Sequence, residues 1–430
     1  MEIYIIEQGD TLEAISRKTG VSKDRIAEDN NIAQEDKLAV GEALIILKPA
    51  FTDTVLTDDT LQSIAARNGT DALTLRRLNP HLSIAPPKTG ETVVLKFIDE
   101  PIYDFVTVGY MYDFITESTL RTALPYLTYA IIFGYGFDES GEIIRVSDER
   151  IIAAARETGT KYLLSLSLIT ESGNFDNPNL ARFMTDRIYQ DVVLTNMLAL
   201  IREKGADGMD LDMEYIPPQY KLEFVSMIRN AANLMHNSGY ILNVAVAPKT
   251  SAEQSGLLYE AHDYRAIGEA ADMVFLMTYE WGYKYGPPMA VAPLPNVRQV
   301  LLYALTEIPR EKIILGIPNY GYDWRLPYIK EITAADTISN IEAVDRSVEM
   351  GAEIKFDERA ASPYYNYPER GILLPQNHIV WFEDVRSVME KMDLAAENGI
   401  LGVGYWNVMF PFNQNFLLLV SKYGIKDPLL

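Results

Sequence analysis

Asp207-Gly208-Met209-Asp210-Leu211-Asp212-Met213-Glu214-Tyr215 is the stretch that decides the fold. Alternate residues of a β-strand share a face. Gly208, Asp210, Asp212 and Glu214 therefore point one way, and Met209, Leu211 and Met213 the other. A row of acids backed by a row of apolar side chains suits one strand of a (β/α)8 barrel, with the acids inward and Met and Leu outward beneath the helices. Glu214 falls where the strand ends, and Pro217-Pro218 stops it soon after. The C-terminal ends of barrel strands are where such folds keep their chemistry.

Crowded carboxylates raise one another's proton affinity. An acid that stays protonated near neutral pH can serve as a general acid. Glu214 is outermost and takes that role, with Asp212 one pleat behind it, roughly 6 to 7 Å along the strand. Both approach a substrate from one side. An ordinary retaining glycosidase needs its second carboxylate on the opposite face of the sugar. A single strand does not supply that, so the nucleophile comes from elsewhere, the substrate itself included.

Working outward, seven more stretches read as strands: Val106–Tyr110, Tyr129–Phe133, Tyr162–Leu166, Asn243–Ala247, Met273–Met277, Ile313–Ile317 and Gly402–Trp406. Helical periodicity lies between them at Ser147–Glu157, Phe183–Lys204 and Lys221–His236. Strands alternating with helices over residues 101–430 predict an α/β chain folded as a (β/α)8 TIM barrel. The gap from Pro318 to Trp381 is too long for one crossover and predicts a small α+β insertion between strands 7 and 8. Its Tyr364-Tyr365-Asn366-Tyr367 cluster is a candidate wall of the cleft, Tyr365 in particular.

Residues 1–97 hold an internal repeat. Thr11 and Thr60 stand 49 positions apart, and the same offset relates Ile15 to Ile64, Asn30 to Asn79 and Gly41 to Gly90. Each copy reads as strand, helix, helix, strand. Asp10 or Thr11 can cap the first helix, and Ser22 the second. Two modules, 1–49 and 50–98, thus precede the barrel.

Composition narrows the function. A formal net charge of −22 argues against nucleic acid and anionic membranes as partners. The chain has no cysteine, hence no thiolate metal site. His81, His236, His262 and His378 are scattered without metal-ligand spacing and read as solvent or packing residues. No metal and no cofactor is expected. Gly134-x-Gly136 and Gly402-x-Gly404 are incomplete as nucleotide-binding patterns, and no Gly-x-Ser-x-Gly elbow occurs. The N-terminus lacks the basic and apolar regions of a signal peptide, and no apolar run approaches the about 18 residues of a membrane span.

The pattern Asp-Gly-x-Asp-x-Asp-x-Glu resembles the signature of glycoside hydrolase family 18, the chitinase-like enzymes. The resemblance implies substrate-assisted, retaining hydrolysis. Glu214 would protonate the glycosidic oxygen, and the 2-acetamido carbonyl of the sugar would attack its own anomeric carbon. Asp212 would orient the acetamide, and Asp210 would hold Asp212 by sharing a proton. Asp207, on the other parity, would be structural. Met277-Thr278-Tyr279-Glu280-Trp281-Gly282 resembles the family's Met-x-Tyr-Asp motif, so Tyr279 would hydrogen-bond the acetamide, with Glu280 departing from the usual Asp. Trp406 ends the last strand, where the family carries a Trp under the sugar. Tyr110 and Asn319, at other strand ends, are further substrate-binding candidates. Ser165-Leu166-Ser167-Leu168 stands where chitinases carry Ser-x-Gly-Gly, which indicates a divergent branch.

The repeat resembles tandem LysM modules, which bind N-acetylglucosamine-containing glycans between two loops. By that resemblance the contacts fall on Gly9, Asp10, Thr11, Leu12 and Asn30 in the first copy, and on Asp59, Thr60, Leu61 and Asn79 in the second. The partner implied is peptidoglycan or a chitin-like N-acetylglucosamine polymer. The whole arrangement is similar to the spore cortex N-acetylglucosaminidases of endospore-forming bacteria. It implies cleavage of β-1,4 bonds after N-acetylglucosamine during germination, on a protein deposited on the spore coat or cortex from the mother cell. The alternatives are a chitinase or endo-N-acetylglucosaminidase on other glycans, and a catalytically silent chitinase-like lectin, against which the presence of Glu214 speaks.

Overall fold

The computed structural model describes residues 1–33, 37–168, 178–369 and 376–429. Eight parallel strands run in chain order: β1 (Asp104–Met111), β2 (Tyr129–Phe137), β3 (Lys161–Ser167), β4 (Gly208–Asp212), β5 (Ile241–Val246), β6 (Met273–Leu276), β7 (Ile313–Pro318) and β8 (Gly402–Trp406). Each pairs with the next, and β8 returns to β1 to close the barrel. Gly402 makes that closure possible, since a Cβ there would lie 1.8 Å from the Val106 carbonyl oxygen.

The acidic stretch behaves as its alternation predicts. Met209, Leu211 and Met213 are buried in the main core, and the acids face the barrel axis end. The strand, expected over Gly208–Met213 with Glu214 at its end, is one residue shorter. The chain leaves the ladder after Asp212 and turns at Tyr215, whose φ is 57°. Glu214 is thus carried on a tight turn above the strand. The helix expected over Phe183–Lys204 is two, Leu180–Thr185 and Arg187–Lys204, because Asp186 caps the second by accepting from the backbone of Ile188 and Tyr189.

Between β7 and β8 the chain builds a separate five-stranded antiparallel sheet (Gly321–Leu326, Asp336–Ile338, Lys355–Asp357, Ser362–Glu369, Gln376–Trp381) with the helix Asn340–Met350 packed on it. Residues 370–375 of the expected insertion lie outside the described residues.

The two repeats fold as strand, helix, helix, strand: Glu2–Ile5, Leu12–Thr19, Lys23–Asp29, Ala43–Ile46, and then Pro49–Thr54, Leu61–Arg67, Ala72–Leu78, Thr92–Phe97. Each has a small core of its own, around Ile15 and Ile26 in one and Ile64 and Leu75 in the other. Neither hangs on a free linker. Ala43, Ile45, Leu78, Val94 and Phe97 join the core of the barrel. Tyr126 donates to the Arg77 carbonyl at 2.8 Å and stacks on Phe416 with ring centres 4.7 Å apart. Arg25 of the first copy reaches Asn79 and the Leu78 carbonyl of the second. Among the described residues, no helix is long and apolar enough to cross a membrane.

Candidate active site

The register of the barrel assembles the site. Asp210 faces Ser165 on β3 and Asn243 on β5. Its carboxylate accepts from Ser165 Oγ at 2.6 Å, Asn243 Nδ2 at 2.6 Å and Tyr110 Oη at 3.0 Å. Burial pushes the Asp210 pKa up, to about 6, against the pull of those three donors. Asp210 is completely enclosed and forms the floor.

Asp212 lies one pleat higher and is also buried, with no hydrogen-bond partner for Oδ1 among the described residues. Its pKa is raised well above its ordinary value by burial first, then by Glu214 above and Asp210 below. Glu214, partly buried on the turn, is raised to about 7 by burial and by the charge of Glu280. Each acid of the column is thus shifted toward its protonated form, and Glu214, the uppermost, lines the open cavity. Asp212, Glu214, Tyr279, Glu280 and Trp406 line one cavity of about 160 Å³. Gly316 leaves room for the Tyr279 ring, since a Cβ there would stand 2.9 Å from Tyr279 Cε1.

Glu280 sits at the rim with φ of 65°, and its carboxylate is clamped by the hydroxyls of Tyr320 and Tyr322. Trp406 ends β8 half-exposed, wedged edge-on against Tyr110, Phe133 and Tyr112. Its indole is thereby fixed beneath the cavity. Asp207 stays outside this group. It pairs with Lys161 at 2.7 Å and accepts from the Tyr162 backbone, fastening β4 to β3.

Several residues expected to meet substrate are placed elsewhere. Tyr110 is 1% exposed and braces Asp210 from below. Asn319 is buried and its amide donates to the carbonyls of Asn407 and Phe410, fixing the loop after β8. Tyr365 lies in the core of the insertion, donating to the Ala343 carbonyl. It fails as a cleft wall because its strand turns that face inward. Tyr364 stacks on Trp381, and Tyr367 bonds Asp323.

In the modules, Asn30 and Asn79 are buried clasps. Asn30 accepts from the Ile45 backbone at 2.7 Å, and Asn79 from that of Val94 at 2.9 Å. Each ties a helix end to the last strand, which leaves neither amide for a glycan. Leu12 and Leu61 are core residues. Thr11 and Thr60 are exposed helix caps, accepting from Ala14 and Ser63. Gly9 turns the chain with φ of 92°. Asp10 accepts from the Glu7 backbone and Tyr4, and Asp59 from Leu56 and Arg67.

Sequence reasoning missed Asn243, Tyr320 and Tyr322. Asn243 was legible as the lone polar residue in the apolar strand Ile-Leu-Asn-Val-Ala-Val. Tyr320-Gly321-Tyr322 is a period-two pair just past β7.

Residues 106–410 match Glycosyl hydrolases family 18, and residues 4–47 and 54–96 match the LysM domain. The chain is 35% identical to "Cortical fragment-lytic enzyme" of Bacillus subtilis (strain 168), covering 99% of both chains. It is 31% identical to the protein of that name from Bacillus cereus, again over 99% of each. Among solved structures, the Bacillus cereus spore cortex-lytic enzyme SleL superposes with a TM-score of 0.82 at 30% identity, covering 99% of this chain and 98% of that one. A chitinase from Chromobacterium violaceum, 21% identical, shares the fold with a TM-score of 0.66 over 73% of this chain and 96% of its own. With the alternating acids, the closed barrel and these matches together, the chain belongs to glycosyl hydrolase family 18 and is a glycoside hydrolase that carries two LysM domains.

Proposed function

We propose that this chain is a retaining N-acetylglucosaminidase that cuts β-1,4 bonds after N-acetylglucosamine in spore-cortex peptidoglycan fragments during germination. The observation that carries the reading is likeness over nearly the whole chain, modules included, to proteins named for cortical fragments and spore cortex. The column of acids supports the reaction type. Glu214 donates its proton to the leaving oxygen. The substrate's acetamido carbonyl attacks the anomeric carbon from the other side, as befits a site in which Asp210, Asp212 and Glu214 come from one strand and the turn that follows it. Asp212 takes a hydrogen bond from the acetamide N–H and balances the positive charge that develops. Asp210, already held by three donors, acts on Asp212 through its charge. Tyr279 orients the acetamide oxygen, and Trp406 carries the sugar face.

The modules, with the bounds read from the repeat, bind the insoluble N-acetylglucosamine polymer and hold the enzyme at its substrate. Deposition on the spore follows from the same likeness.

Mass spectrometry of products from two glycans tests this. Soluble spore-cortex fragments should yield new N-acetylglucosamine reducing ends, and chitin oligosaccharides should be cut poorly. Efficient chitin cleavage would make the protein a chitinase with LysM modules. Binding without cleavage of either would make it a lectin.

A further inference from the structure

A second groove, of about 340 Å³, lies on the flank of the barrel where both LysM modules meet it. Asn31 and Ile32 come to it from the first module, Pro80 and Ile84 from the second, and Ser118 and Pro411 from the barrel. Asn31 and Pro80 are 49 positions apart, which is the repeat offset. Equivalent loops of the two modules therefore face one space.

The two barrel segments that wall this groove also wall the open arm of the catalytic cleft, about 600 Å³, through Phe114, Thr116, Met409 and Phe410. Thr116 and Ser118 are two residues apart, and Phe410 and Pro411 are consecutive. Arm and groove thus share a rim. Phe114 stands on that rim 71% exposed, its ring stacked on Tyr112 with centres 5.1 Å apart.

The lining has its own chemistry. Hydroxyls of Ser118 and Thr122 stand beside the aliphatic faces of Ile84 and Pro411. Among the described residues neither Lys nor Arg lines it, and the one imidazole, His81, is held between Glu28 and Glu91. Hydroxyls, aliphatic faces and a carboxylate suit a neutral polyhydroxylated chain and repel an anion. We propose that this groove binds the continuation of the glycan strand whose scissile bond lies in the cleft, an inference that rests on the glycosidase reading above. The modules would then grip the strand being cut, through their junction with the barrel, and not only a neighbouring one.

The test uses the full chain with Glu214→Gln for binding and the unmodified site for turnover. The probes are peptide-free glycan strands of about twenty sugars and a tetrasaccharide of the same sugars. The parent should bind the long strand at least about tenfold tighter. Ser118→Trp, which plugs the groove, and Ile84→Asp, which charges it, should each reduce that long-to-short ratio about fivefold, with the long-to-short turnover ratio following. A ratio unaltered in both variants overturns the proposal, as does a parent with no preference for length. A parent that cuts neither probe overturns the glycosidase reading instead, while the binding ratio still decides the groove.

Discussion

The amide of Asn243 and the carboxylate of Asp210 meet at 2.6 Å across neighbouring strands, opposite each other in register. The pair sits at the closed floor of the barrel. Asn243→Ala should leave a buried carboxylate short of a donor, at a cost of about 1–3 kcal/mol. Asp210 should also become harder to ionise, shifting the acid limb of the rate profile upward. Denaturant unfolding and a pH–rate series measure both, and a variant matching the parent in each would remove Asn243 from the site's support.

With Glu214 proposed as the general acid, its pKa of about 7 should set the alkaline side of the activity. Turnover should decline as pH rises through that value, because the acid must carry its proton. Glu280→Gln removes a like charge from its neighbourhood, so the limb should move to lower pH. A limb that stays in place would mean that Glu280 does not act on Glu214 through charge. Glu214→Gln should lower kcat by about 10²–10⁴-fold while glycan binding persists.

The same protons affect stability. Glu214 and Asp210 have folded pKa values above their ordinary 4.5 and 3.8. Groups raised in this way favour the folded state fully below the ordinary value and lose that contribution as pH rises through the folded one. Stability should therefore fall between about pH 4 and pH 7, and Glu214→Gln should flatten the decline by roughly 1–3 kcal/mol. Thermal unfolding of the two proteins across that range gives the comparison, and parallel curves would contradict the assignment.

Asn79→Ala should destabilise the second module by about 1–3 kcal/mol, because its amide closes buried backbone groups of Leu75 and Val94. Tyr365→Phe should cost about 1 kcal/mol and leave turnover alone, since among the described residues its hydroxyl donates to the Ala343 carbonyl in the insertion's core. Loss of sugar affinity in Tyr365→Phe at unchanged stability would return that side chain to the cleft.

How much was legible beforehand depends on whether a residue's neighbours are near in sequence. The alternation around Asp212 is local, so the strand, its inward face and the family were all readable from a few positions. The eight strands were visible because buried parallel strands are short apolar runs separated by helices. Tyr110 was correctly set at a strand end, yet its partner Asp210 is 100 residues away. Only barrel closure shows that it points down to the floor. The Asn30 and Asn79 positions were found through the repeat, but a repeat marks what each copy needs, and here the need is a clasp within the fold. Tyr365 was misplaced because one face of a β-strand cannot be told from the other without the partner strand.

The core shared between modules and barrel has a mechanical consequence. A binding module on a flexible leash lets a catalytic domain sweep a disc of surface around one anchorage. Here Ile45 and Phe97 belong to the same packed interior as the barrel, so the leash has no length. On the binding proposed for the modules, every shift of the anchor is a shift of the blade, and the enzyme must let go to advance. It should erode its polymer in discrete footprints, each one protein wide.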